Sequence, residues 1–223
     1  MQIQAGTLSI VATPIGNLKD MTYHAVEILK SVDLIAAEDT RHTKILTAHY
    51  DIHTPMTSYF EHNQFTKGEY LIDQLKSGKN IALVSDAGTP GISDPGYRLI
   101  RMAIEEAIPL RIIPGACALV AGLVVSGKPT DRFVFAGFLP PKTIARKKRL
   151  AELKAFDCTL ILYESPYRLV KTLVDIQEVF GDVSIACTRE LTKKFEEVLR
   201  KPVSRLIMHF QSIEPKGEFV LVI

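Results

Sequence analysis

The sequence predicts an α/β protein, and three of its features predict it. Short apolar runs rich in β-branched residues alternate with segments of helical periodicity. Loops of Gly, Pro, Asp and Ser punctuate the alternation, the longest being SDAGTPGISDPG over 85–96. The turn formers of SGKPTD (126–131) make the clearest break, after which the same alternation resumes. A chain of 223 residues that repeats this pattern on both sides of a break is read as two α/β domains, 1–125 and 126–223.

The elements follow in order. TLSIVAT (7–13) is the first strand, followed by the loop TPIGNLKD and a helix capped by Asp20 or Thr22 with Ala25, Ile28 and Leu29 turned inward. DLIAAE (33–38), PMTSYF (55–60) and NIALVS (80–85) are the next strands. The spacing predicts a helix over 64–76 that ends at Gly78. A helix over 95–107, the strand LRIIP (110–114) and a small-residue apolar helix over 116–126 complete the first half. The second half contains RFVFAGF, a basic helix, CTLILYE, a helix from Pro166, VSIACTRE and a closing GEFVLVI.

Composition excludes several classes. The chain is 47% hydrophobic and 23% charged with a net charge of +2, the balance of an ordinary globular protein with no overall acidic or basic character. Three cysteines without a CxxC pair indicate neither a disulfide framework nor a zinc ribbon. The six histidines form no HExxH, so no metal site is expected. MQIQAGTLSIVATPIGN lacks a basic start, no run approaches the roughly 18 apolar residues of a membrane span, and the expected setting is a reduced cytoplasm. Glu38 and Asp39 stand about 20 residues after the first turn, as a ribose-binding acid would. That turn, TPIGN, has one glycine instead of GxGxxG, and nicotinamide binding is set aside.

A loop such as SDAGTPGISDPG, placed after a buried-type strand, presents main-chain groups rigidly to a ligand at the carboxyl end of a sheet. IIPGACAL (112–119) is a second Gly-Pro break of the same kind. Taken with TPIGNLKD, AAEDTRHT, SGKPTDRFVFAGFLP, YESPYRL and KGEFVLVI, these segments resemble the ribosomal RNA small-subunit methyltransferase I family of the tetrapyrrole methylase superfamily, from Gly6 to Ile223. The RNA-modifying branch carries the SDAGTPGISDPG and AAEDTRHT signatures. One departure is Pro114-Gly115-Ala116-Cys117-Ala118, where the family has P-G-P-S-A. Members also continue past the strand at which this sequence stops.

The resemblance implies two α/β domains of the tetrapyrrole methylase type, with a crevice for S-adenosylmethionine between them, in a homodimer. It implies 2′-O-methylation of a cytidine ribose in small-subunit (16S) ribosomal RNA, with the RNA or the ribosomal subunit as partner. Its cofactor contacts fall on Pro14, Asp86, Gly88, Thr89, Ala116, Cys117, Tyr163, Lys216 and Gly217.

Methyl transfer to a ribose hydroxyl needs alignment and a base. EDTRHT and SYFEHNQ stand just after predicted strands and supply the candidates. Glu38, Asp39, Glu61 and His62 are proton acceptors, while Arg41 and Asn63 hold phosphate or sugar. Asp39 before Thr40 and Arg41 is also an ordinary helix N-cap. Arg146, Lys147 and Lys148 in KTIARKKR, with Lys194 in LTKKFEE, are candidate phosphate contacts, and a charge run of this kind is equally a solvated helix face. A porphyrinoid methylase and a non-catalytic RNA-binding module are the competing readings.

Overall fold

The computed structural model of the chain describes residues 4–223. It divides into two units, Met1–Cys117 and Ala118–Ile223. The boundary therefore precedes the apolar helix Ala118–Ser126 instead of following it, as SGKPTD suggests. The reason is packing: Gly122 of that helix lies so close to Val220 that a Cβ on it would meet Val220 Cγ1 at 2.8 Å, which commits the helix to the second unit.

The first unit holds β1 (Leu8–Val11), α1 (Tyr23–Ser31), β2 (Leu34–Ala37), α2 (Thr40–His49), β3 (Met56–Ser58), α3 (Gln64–Lys76), β4 (Ile81–Val84), α4 (Tyr97–Glu105) and β5 (Leu110–Ile113). Its sheet has the order β3-β2-β4-β1-β5, and every pair in it is parallel. Alternate residues of a strand face opposite ways, so Ile81 and Leu83 of β4 pack with Leu71, Leu75 and Leu99 of α3 and α4. Ala82 and Val84 pack on the other face with Ala25, Leu29 and Leu46 of α1 and α2. Both faces are covered, which is why the strands read as unbroken apolar runs.

The local signals act as their chemistry dictates. Of the two proposed caps of α1, Thr22 acts: its Oγ1 accepts the Ala25 N–H at 3.1 Å, and Asp20 sits in a short 3-10 turn before it. Helix α3 ends at Ser77, and Gly78 takes φ +93° beyond it. Because all five strands run the same way, the loops after β1, β2, β3, β4 and β5 leave from one edge of the sheet.

The second unit comprises α5 (Ala118–Ser126), β6 (Phe133–Phe138), α6 (Thr143–Lys154), β7 (Thr159–Glu164), α7 (Leu169–Phe180), β8 (Ser184–Arg189), β9 (Glu197–Pro202), α8 (Val203–Ser212) and β10 (Phe219–Val222). Strand β9 and helix α8 are not among the elements expected from the sequence. The edge strand β9 is charged and half-exposed, which hides it, whereas α8 carries a readable stripe of Val203, Leu206, Ile207 and Phe210. The sheet order is β6-β7-β10-β8-β9, with β6–β7 parallel and the other pairs antiparallel. One face carries α6, α7 and α8 over a core of Leu150, Leu162, Leu173, Ile185, Leu206 and Phe219. Among the described residues no helix is long and apolar enough to cross a membrane.

Candidate active site

The loops after β1 and β4 are stitched together by backbone. Thr13 N–H donates to the Gly88 carbonyl at 2.9 Å, Gly88 N–H returns to Thr13 at 3.1 Å, and Thr13 Oγ1 donates to the Ser85 carbonyl at 3.1 Å. Gly88 makes this turn at φ +81°, a conformation costly for any residue with a Cβ. Thr13 is a residue the sequence reading passes over, although its place at the end of an apolar run before Pro14 marks it. Pro14 is buried, and Thr89 is half-buried next to Gly88. After β5, Gly115 lies against Ala12 so closely that a Cβ on it would sit 3.0 Å from the Ala12 Cβ. Ala87, Gly88, Gly115 and Ala116 thus carry nothing larger than a methyl group; Thr13 takes both peptide groups of Gly88, and the exposed backbone at Ala87 and Gly115 is what a ligand can approach.

A second stitch joins the loops after β2 and β4. Glu38 Oε2 accepts the Asp86 N–H at 3.2 Å, and Asp86 Oδ1 accepts the Asp39 N–H at 3.1 Å. Three carboxylates are held together at the carboxyl end of neighbouring strands, and their environments differ. Burial pushes the Glu38 carboxyl above its ordinary value; the Asp86 N–H opposes that rise and the Asp86 and Asp39 carboxylates add to it. The Arg41 guanidinium, followed by the Arg41 N–H, holds Asp39 down to about 2. Asp39 is also the N-cap of α2, accepting the Arg41 N–H at 2.8 Å. The N-cap reading of Asp39 applies: the cap fixes the side chain, and Arg41 keeps it ionised.

The remaining first-unit candidates lie after β3. Tyr59 N–H donates to the Ala37 carbonyl at 2.7 Å, which ties this loop to the residue before Glu38. Asn63 is a clamp for the loop itself: Oδ1 accepts the Phe60 N–H at 2.8 Å and Nδ2 donates to the Ser58 carbonyl at 3.2 Å. Glu61 and His62 are exposed, and the His62 ring meets Phe60 edge to face.

In the second unit, the Tyr163 hydroxyl accepts the Leu119 N–H at 3.0 Å, and its ring packs on Phe135 and Phe138. Buried Glu164 accepts Thr172 Oγ1 at 2.6 Å and the Ser165 N–H at 2.8 Å. Arg168 donates to the Leu139 carbonyl at 2.5 Å, so both residues brace the local turn. Gly217, at φ +87°, rests on Glu190, where a Cβ would lie 2.4 Å from the carboxyl carbon; Lys216 beside it is exposed. Cys117 and Ala116 are half-buried in the turn after β5.

Arg146 overturns its reading as a phosphate contact. Its side chain is 1% exposed, and Nε donates to Asp175 Oδ2 at 2.6 Å inside the second unit. The other donors go to the Pro141 carbonyl at 3.0 Å and Thr143 Oγ1 at 3.3 Å. A guanidinium buried to this degree, with each of its nitrogens bonded within the second unit, is not presented to RNA. Lys147 pairs with Glu178, while Lys148 and Lys194 stand exposed. Among the described residues no group of three or more His, Cys, Asp or Glu side chains is arranged to hold a metal ion.

The model of the family described as Tetrapyrrole (Corrin/Porphyrin) Methylases matches residues 7–207. A Synechocystis protein named Ribosomal RNA small subunit methyltransferase I is 52% identical over 219 residues, covering 98% of this chain and 78% of its own length. The protein of that name from Halalkalibacterium halodurans is 51% identical over 218 residues, covering 98% and 75%. Among solved structures, Thermus thermophilus uroporphyrin-III C-methyl transferase complexed with S-adenosyl homocysteine matches with a TM-score of 0.65 at 14% identity, over 97% of both chains.

Proposed function

The chain belongs to the ribosomal RNA small-subunit methyltransferase I family of the tetrapyrrole methylases, and on that premise we propose that it uses S-adenosylmethionine to methylate the 2′-hydroxyl of a cytidine ribose in the 16S ribosomal RNA. The observation that carries the reaction is the agreement along 98% of the chain with relatives that bear that enzyme's name. The cytoplasm is the setting in which a ribosomal RNA would be met.

The residues present fit the cofactor. A ligand with an ammonium, a ribose and a sulfonium needs one fixed acid, exposed peptide groups and room for the backbone to approach it. Asp86, the stitched Thr13–Gly88 turn and the small residues at 87–88 and 115–116 offer these. S-adenosylmethionine supplies a methyl on a sulfonium, already activated for displacement by an oxygen nucleophile. The protein therefore has two tasks, alignment and removal of the hydroxyl proton.

Glu38 is the residue we assign to the proton. Oε2 is occupied by the Asp86 N–H, which fixes the carboxylate and leaves Oε1 for a substrate hydroxyl. Burial raises its proton affinity above that of an ordinary carboxylate, which favours a base. Asp39, held near 2 by Arg41, is the weaker base and is suited to positioning. Lys148 and Lys194, with Lys147 in part, are the remaining candidate RNA phosphate contacts.

We further assign a homodimer. Leu110 and Ile112 of β5 are exposed, and in the second unit so are Val120 and Val124 of α5 and Phe133 and Phe138 of β6, apolar side chains that a second copy would cover. Sedimentation at micromolar concentration reads the assembly, and a monomer throughout that range would overturn it. Mass spectrometry of small-subunit ribosomal RNA from cells with and without the protein tests the activity: loss of one 2′-O-methylcytidine is expected, and an unchanged nucleoside profile would refute it.

A further inference from the structure

The face formed by α3, α4 and the loop after β3 has no role in the chemistry above, yet it adjoins it. Its loop is anchored on the carbonyl of Ala37, the residue before Glu38. With Asn63 clamping the backbone from within, Phe60 and His62 are left outside, their ring centroids 6.2 Å apart. Phe65, on the first turn of α3, is 58% exposed, and the guanidinium of Arg98 from α4 stands over it at 3.8 Å from the ring centroid. The Arg98 Nε is buried with no hydrogen-bond partner among the described residues. One turn along α3, Lys67 stands over the ring of Tyr70 at 4.3 Å, and Tyr97 of α4 is 68% exposed. Gly68 lets the two helices meet, since a Cβ there would sit 3.1 Å from Met102 Sδ.

A single exposed aromatic needs no explanation. Several on one face, two of them already stacked by a cation, are a different matter. Aromatic rings and guanidinium planes are the surfaces on which unpaired bases stack, and the adjoining cations match the phosphates between those bases. A base in a duplex cannot use such a surface, because both of its faces are covered by its neighbours.

We infer that this face is a stacking platform for unpaired nucleotides that flank the methylated ribose, with Phe65 and Arg98 at its centre and Phe60 and His62 at the end nearer Glu38. The inference rests on the RNA-methylation reading, and it adds that the target lies in an unpaired stretch of RNA. Phe65 acts there as a positioning residue.

The test uses the whole protein and a short unpaired RNA oligonucleotide carrying 2-aminopurine, whose fluorescence is quenched when it stacks. Wild type and Phe65→Tyr are expected to bind and quench it. Phe65→Leu should bind about 5–100-fold more weakly without quenching, and annealing the oligonucleotide to its complement should abolish the signal. S-adenosylmethionine affinity should be the same in all three proteins. With small ribosomal subunits that lack the modification as substrate, Phe65→Leu should raise KM and leave kcat in place. A Leu variant that binds, quenches and turns over as wild type does, while wild type methylates the subunits, would overturn the platform alone. Wild type that transfers no methyl to those subunits would instead overturn the RNA-methylation reading.

Discussion

Glu38 and Asp86 hold each other's loops in place. The carboxylate of Glu38 takes the amide of Asp86 at 3.2 Å, and the carboxylate of Asp86 takes the amide next to Glu38 at 3.1 Å. Two strand ends are thereby locked at the edge of the first sheet, and burial there raises the proton affinity of Glu38. Each acid is a structural pin as well as a chemical group, and variants must be chosen to separate the two.

Asp86→Asn keeps an oxygen for the Asp39 N–H and removes the charge, while Asp86→Ala removes both. Calorimetry with S-adenosylmethionine should show both variants weakened by a few-fold to a hundredfold, the about 1–3 kcal/mol of a lost charged hydrogen bond. Only Asp86→Ala should also lower Tm. Wild-type affinity in a folded Asp86→Asn would remove Asp86 from the cofactor site.

Glu38→Gln should cost about 10²–10⁴-fold in turnover with cofactor affinity within a few-fold, and its residual activity should climb with pH as hydroxide replaces the base. The sign of its stability effect is the reverse of an ordinary ion-paired acid. Folding raises the Glu38 pKa, so its ionised form is disfavoured in the native state and stability is lost as pH rises through that range. Gln at this position should therefore leave Tm at neutral pH unchanged or higher. Loss of activity together with a large drop in Tm would mean that Glu38 is a pin only.

Asp39 has the opposite sign. Its pKa is lowered to about 2, so its contribution to stability is present above the unfolded value near 3.9 and is lost as pH falls toward 2. Asp39→Asn, which retains the cap, should reduce turnover less than Glu38→Gln and show no rise of residual activity with pH. A rate loss as large as that of Glu38→Gln, with that pH response, would exchange the two roles.

Arg146 and Asp175 form a buried pair, and breaking it by Arg146→Met or Asp175→Ala should cost about 3–5 kcal/mol in denaturant unfolding. Replacing both by apolar residues should cost less than either single change. Neutralising Lys148 and Lys194 should instead flatten the salt dependence of RNA binding by about 0.7–0.9 per phosphate contact, with no effect on unfolding. An unaltered slope would make both lysines merely solvated.

Much was legible in the sequence because it is written locally. Apolar runs bounded by turn formers determined β1, β2, β4 and β5, and the pattern around Gly78 determined α3 to the residue. The loops that carry Glu38, Asp86 and Gly88 could be placed at strand ends because parallel strands send every such loop to one edge. The charged edge strand β9 was not legible, since its residues are half-exposed and lack a strand's apolar signature.

What only the tertiary structure decided is which side chains meet. Arg146 and Lys148 are two residues apart in one basic run, yet the turn of α6 buries the first on Asp175 and leaves the second in water. Glu38 and Asp39 are adjacent, yet burial raises the proton affinity of one and Arg41 lowers that of the other. Phe65 and Arg98 are 33 positions apart and carry no motif, and only the close approach of α3 and α4 at Gly68 stacks them. The periodicity of a sequence determines which face of an element is buried; partners across that face, and the electrostatics they impose, exist only once the chain has folded back on itself.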